Sequence, residues 1–152
     1  TPALVRQGIS ALHANAQVSP AQREQADHIL RAVGAVLWVA QEAQLDAVTA
    51  VSGSGPAYFF LVMEAMEQAG VALGLTPQIA RKLTLQTALG AAVLASQSDT
   101  DPASLRAQVT SPGGTTQAAL EVLLGGQLPA LFLEALSAAN RRAGELARQA
   151  QG

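Results

Sequence analysis

The run Val109-Thr110-Ser111-Pro112-Gly113-Gly114-Thr115-Thr116 places four hydroxyls and two glycines between two stretches of helical periodicity. Pro112 ends what precedes it, because its ring fixes φ and disfavours the α region at Ser111. Gly113 and Gly114 permit backbone angles and close approaches that a β-carbon would block. Thr115 or Thr116 is expected to cap the following helix through a hydroxyl. The product is a helix N-terminus with free N–H groups, which favours an anion through aligned donors and partial positive charge. An ordinary helix–turn–helix joint is the competing reading, since Pro, Gly, Ser and Thr punctuate most turns. Four hydroxyls and two glycines exceed what one turn needs, and that excess favours the anion site.

A second glycine-rich stretch, Ser52-Gly53-Ser54-Gly55-Pro56-Ala57-Tyr58, fits neither of two catalytic patterns. A dinucleotide fingerprint requires a preceding strand and a small residue where Tyr58 stands. A nucleophile elbow requires glycine where Ser52 stands. The expectation is a break between two closely packed helices, with Pro56 opening the second. His13 and His28 stand apart without a carboxylate pair and read as structural. No metal site is expected, and without cysteine there is no disulfide, thiolate or zinc-cluster chemistry.

The elements that must hold these residues follow from periodicity. Residues 8–14 alternate as a short strand, Ser19-Pro20-Ala21-Gln22 is a capping box, and a helix should run from Pro20 to Val33 with Gly34 closing it. Val36–Val39 reads as a buried strand containing the core residue Trp38. Helices are then expected over 41–51 (Leu45, Val48 and Ala47 or Val51 inward), from Pro56 to about Val71, and from Pro77 to Ser96 or Ser98. A short one begins at Pro102, and two more span Thr115 or Thr116 to Leu124 and Leu128 to about Arg148. The Pro77 helix should bury Ile79, Leu83, Thr87, Gly90 and Leu94, and the last helix Leu131, Ala135, Ala138 and Ala139. Gly90 among alanines costs helix stability and implies a partner helix at very short distance. Met63 and Met66 read as packing residues. The fold class is mainly α, with a small β-α-β unit in front.

The totals narrow the class. Of 152 residues 49% are hydrophobic and only 13% charged, so some apolar surface should be covered by another copy or domain. No run reaches the ~18 apolar residues of a membrane span, so no membrane partner is expected. A net charge of -2, with Lys82 the single lysine, offers no field for nucleic acid. The opening Thr1-Pro2-Ala3-Leu4 lacks the regions of a signal peptide and reads as a cut end, and an intracellular location is expected.

With both joints in view, Asp46-Ala47-Val48-Thr49-Ala50-Val51-Ser52-Gly53-Ser54-Gly55-Pro56-Ala57-Tyr58 and Val109–Thr116 together closely resemble pyrroline-5-carboxylate reductase. The likeness extends over the whole chain, with a minor departure at Leu124, but no dinucleotide fingerprint precedes Thr1. The resemblance implies that residues 1–40 are the C-terminal edge of a Rossmann-like dinucleotide-binding domain. Residues 41–152 would then be an all-helical dimerisation and substrate domain, with dimers assembling further into decamers in the cytoplasm. It implies NADPH- or NADH-dependent reduction of the cyclic imine 1-pyrroline-5-carboxylate to L-proline, a reaction this chain alone should not perform. The substrate carboxylate would be held by Ser111 and the N–H groups of Gly113, Gly114 and Thr115. Thr116 would contact the ring nitrogen as a proton relay, Asp99 would lie near that nitrogen, and Thr1 and Pro2 would lie near the nicotinamide. Ser52, Ser54 and Tyr58 would shape the dimer and the floor of the site. Two other expectations stand beside this one: a non-catalytic helical assembly module, and a related imine reductase on the same helical domain.

Overall fold

The computed structural model of the chain describes residues 1–150. A 3-10 turn at Pro2–Val5 leads into β1 (Gly8–Leu12), α1 (Pro20–Arg31) and β2 (Gly34–Trp38). The two strands pair in parallel, Gly8 opposite Gly34 through Leu12 opposite Trp38, as a β-α-β crossover requires. Helices follow: α2 (Gln44–Val48), a π-helical turn (Thr49–Gly53), α3 (Gly55–Ala72), α4 (Pro77–Gln97), α5 (Pro102–Gln108), α6 (Thr115–Gly125) and α7 (Leu128–Ala150). A mainly α fold behind a small β-α-β unit is therefore what forms.

The capping box at α1 is complete: Ser19 Oγ accepts from Gln22 N–H and Gln22 Oε1 from Ser19 N–H. The helix ends at Arg31, not Val33, and Gly34 does not close it. Gly34 instead opens β2 at φ +152, and a β-carbon there would run into the backbone of Gly8. The first strand also stops at Leu12. His13 continues from it, its Nδ1 lying 3.3 Å from the Val39 carbonyl oxygen. Trp38 is half-buried; its ring lies under the Arg23 guanidinium at 4.4 Å, and its Nε1–H donates to Asp27, which also pairs with Arg31.

The second helix opens at Gly55, one residue ahead of Pro56, and the joint before it is a π-helical turn ending in a bend at Ser54, not an open loop. At this joint Ser54 N–H is bonded to the Thr49 carbonyl, with Ser52 Oγ donating to the Val48 carbonyl and Tyr58 Oη to the Ala50 carbonyl. Pro56 stands in the first turn of α3, where its missing N–H removes no helical hydrogen bond. The π turn advances the buried face, so Ala50, at 2% exposure, is covered in place of Ala47 or Val51. The outcome is one helix of 29 residues, Gln44–Ala72, long and apolar enough by length and composition to cross a membrane. The uninterrupted apolar run within it still ends at Glu64, as the sequence reads.

The residues divide into two compact units: Thr1–Tyr58 with the segment from Leu133 onward, and Phe59–Phe132. In the first, Gly144 of α7 is buried against Asp46 of α2: a β-carbon at Gly144 would sit 3.1 Å from Asp46 Oδ2. In the second, Gly70 of α3 meets Ala80 of α4 with room for no more than a hydrogen, a β-carbon there lying 3.2 Å from the Ala80 methyl. The buried residues of α4 are Ala80 and Thr84, while Ile79, Leu83 and Leu94 of the expected inward face are exposed. Leu131 of α7 is exposed as well, and so are Phe59, Phe60 and Leu61 of α3. The residues expected to face inward on α4 and α7 are therefore largely uncovered in this chain, which buries small residues beside them instead. Nothing lies within 4 Å of a β-carbon at Gly90, so the close partner inferred for it is not supplied by this chain's described residues.

Candidate functional site

The second unit contains the hinge and Asp99; Thr1 and Pro2 belong to the first. Upstream of the hinge, α5 is started by Asp101, whose carboxylate accepts from the N–H groups of Ala103 and Ser104 and from Ser104 Oγ. Those bonds, Ser104 hydroxyl first, hold the Asp101 carboxyl below its usual pKa. The helix ends at Gln108, and Thr110 Oγ1 donates to the Arg106 carbonyl at 2.6 Å, closing its C-terminus. One of the four hinge hydroxyls is thus already engaged.

Pro112 and Gly113 turn the chain, with Gly113 at φ +69, in the left-handed region that glycine enters without strain. Gly114 is the N-cap of α6, extended at φ -83 and ψ 170. Neither Thr115 nor Thr116 caps the helix, contrary to expectation. The helix begins one residue earlier than a threonine cap would allow, leaving both threonines inside its first turn. Gly114 has a different role from Gly113: its missing β-carbon would lie 2.5 Å from Ser111 Oγ and 3.1 Å from Ser111 O. The absence of that carbon lets the Ser111 hydroxyl lie against the start of the helix.

The amides divide into two sets. Gly114 N–H donates to the Ser111 carbonyl at 3.0 Å, and Gly113 N–H donates to Gln117 Oε1 at 2.8 Å. Both are satisfied within the loop. The first α6 amide with a backbone acceptor is Ala118, bonded to the Gly114 carbonyl, so the N–H groups of Thr115, Thr116 and Gln117 have no acceptor among the described residues. Free donors of this kind at a helix start favour an anion, and Ser111 Oγ lies against Gly114, the residue just before them. Compared with the expected donors, Thr115 stays in this set and Gly113 and Gly114 drop out, because intrachain carbonyl oxygens take their protons. Thr116 is half-buried; Ser111 and Thr115 are exposed.

Sequence reasoning did not single out Gln117 or its neighbour Glu121, whose Oε1 accepts from Gln117 Nε2 at 2.8 Å. A signal was present: Gln117 is the third residue of α6, the position whose Gln or Glu reaches back in a capping box. Asp99 is exposed in the bend between α4 and α5, where Ser98 Oγ accepts from Thr100 N–H. Thr1 precedes the 3-10 turn without capping it and Pro2 opens that turn. Among the described residues no glycine loop joins a strand to a helix; the loop between β1 and α1 is residues 13–19. No cluster of metal-ligating side chains occurs among the described residues.

Residues 42–146 match the family model for pyrroline-5-carboxylate reductase dimerisation. The chain belongs to the pyrroline-5-carboxylate reductase dimerisation family. It is 60% identical over 149 residues to a pyrroline-5-carboxylate reductase of Pseudomonas aeruginosa, covering 98% of this chain and 55% of that protein. A Synechocystis relative of the same description is 47% identical over 149 residues, again 98% of this chain and 55% of its own length. Among solved structures, a Coxiella burnetii pyrroline-5-carboxylate reductase superposes with a TM-score of 0.93 at 51% identity, covering 96% of this chain and 54% of that one. A Plasmodium falciparum pyrroline carboxylate reductase with NADP bound superposes at 0.86 and 30% identity, over 93% and 57%. The chain spans about half the length of the curated relatives it matches.

Proposed function

We propose that this chain supplies the substrate-binding and dimerising part of a cytoplasmic pyrroline-5-carboxylate reductase, which reduces 1-pyrroline-5-carboxylate to L-proline with NADPH or NADH. The observation that carries the reading is the start of α6, where the amides of Thr115, Thr116 and Gln117 have no acceptor among the described residues and Ser111 Oγ lies against Gly114. A small carboxylate satisfies those donors. Each charge-assisted hydrogen bond contributes about 1.5–3 kcal/mol, which fixes the ring's position relative to the reductant. The nicotinamide, when bound, supplies the hydride, with Thr1 and Pro2 as this chain's contacts to it. Thr116, on the same first turn, places its hydroxyl at the ring nitrogen and relays the proton that makes the imine carbon electrophilic. Asp99 sits near that nitrogen and favours its protonated form.

The exposed faces of α3, α4 and α7 support a homodimer, with dimers assembling into decamers. In the protein of the relatives' full length, Thr116→Ala should lower kcat, whereas Ser111→Ala should mainly raise KM for the imine. Unchanged kinetics in both variants would remove the hinge from the site and leave a helical assembly module as the function.

A further inference from the structure

We propose that Gln117 is a positioning residue for the carboxylate grip, acting on the hinge through the Gly113 amide; the proposal rests on the hinge reading above. The Gln117 carboxamide is held at both ends. Its Oε1 accepts from Gly113 N–H at 2.8 Å, and its Nε2 donates to Glu121 Oε1 at 2.8 Å. Glu121 thereby fixes which end of the amide faces the loop, since a carboxylate accepts only from the NH2 end.

The consequence is local and specific. Gly113 is the exposed loop residue in the left-handed region, and Gln117 Oε1 is the acceptor for its N–H. In a complete capping box the third helical residue reaches the N-cap amide. Here that amide, Gly114 N–H, is taken by the Ser111 carbonyl, so Gln117 reaches one residue further and grips the turn itself. The Gln117 backbone amide is meanwhile one of the three free donors. One residue thus both contributes to the anion site and ties down the loop that carries Ser111. Without the side-chain tie, Pro112–Gly114 loses its only side-chain hydrogen bond among the described residues, and Ser111 Oγ its fixed place over Gly114.

The test is steady-state kinetics in the full-length dimeric enzyme, varying imine and cofactor separately. Gln117→Ala should raise KM for the imine about tenfold, with kcat and the cofactor KM within about twofold of wild type. Glu121→Ala should raise the imine KM in the same direction by less, and Glu121→Gln, which keeps an acceptor, should restore it. Hydrogen exchange at the Gly113 amide should accelerate in Gln117→Ala and in no other loop variant that keeps Gln117. If Gln117→Ala leaves the imine KM unchanged while Ser111→Ala raises it, the site stands and the positioning role is overturned. If neither variant nor Thr116→Ala changes the kinetics, the hinge reading fails and takes this proposal with it. Glu121→Ala and Glu121→Gln give the same answer should Gln117→Ala fold poorly.

Discussion

Alanine at Gly114 and alanine at Gly113 should fail for different reasons, and the difference reports on Ser111. Gly113 has φ +69 with open space around its missing β-carbon, so Gly113→Ala is strained by backbone conformation alone, costing about 1–2 kcal/mol of stability. Gly114 has an ordinary extended backbone, so alanine there meets no conformational penalty. Its β-carbon would instead fall 2.5 Å from Ser111 Oγ, which must rotate away, and 3.1 Å from Ser111 O, which must yield by a few tenths of an ångström. A hydroxyl rotates at little cost, so the stability loss should be about 1 kcal/mol or less. The function loss should be larger. If Ser111 gives the substrate carboxylate one charge-assisted hydrogen bond of about 1.5–3 kcal/mol, displacing it raises the imine KM roughly ten- to a hundredfold. The decisive assay is a double-mutant cycle in the full-length enzyme, with imine KM and urea unfolding measured for Gly114→Ala, Ser111→Ala and both together. Both single variants should show the same KM, and the double variant no further rise, since the hydroxyl can be lost only once. Multiplying effects, or Gly114→Ala with normal KM, would refute the idea that Gly114 acts by admitting Ser111.

Gly144→Ala should change the stability of the fold by no more than about 1 kcal/mol, because its β-carbon crowds only the carboxylate end of Asp46, 3.1 Å away, and that crowding is offset by the ~1 kcal/mol that alanine adds to a helix. Combined with Asp46→Ala it should become stabilising, and thermal unfolding of the four proteins decides. Gly90→Leu should shift the assembly toward monomer in analytical ultracentrifugation while leaving monomer helicity intact; an unchanged dimer would place the partner elsewhere. The carboxyl of Asp101 is depressed by its bonds to Ser104 and Ala103, so its contribution to α5 is complete above its unfolded pKa. That contribution is lost as pH falls through the lower folded value. Asp101→Asn should therefore flatten the acid limb of the stability–pH curve, and an unaltered limb would remove the cap from the account.

Local chemistry was legible wherever a single residue type dictates the backbone. The capping box at Ser19, the proline starts at Pro77 and Pro102, and the Pro112–Gly114 hinge all occur where sequence placed them. Positions governed by distant contacts were not. Gly34 reads as a helix stop until its strand pairing with Gly8 is known, and Ser52–Pro56 reads as a break because a π turn leaves no period of its own. At the hinge, residue types pointed to an anion, but which amides remain free depended on where two acceptors, Gln117 Oε1 and the Ser111 carbonyl, came to rest.

The choice of buried residues carries a physical argument about assembly. On α4 the covered positions are Ala80 and Thr84, and the neighbour across from Ala80 is Gly70. These contacts are close but small in area. The large side chains one position away, Ile79 and Leu83, stand open, as do Phe59, Phe60 and Leu61 of α3. Burial contributes roughly 25 cal/mol per Å² of apolar surface, so most of the hydrophobic energy encoded in these helices remains unrealised in a single chain. Small residues set how closely the helices approach within the chain, and large ones are left for a second surface. If a second copy covers that area, as proposed, folding and association draw on the same surface and stability should rise with protein concentration.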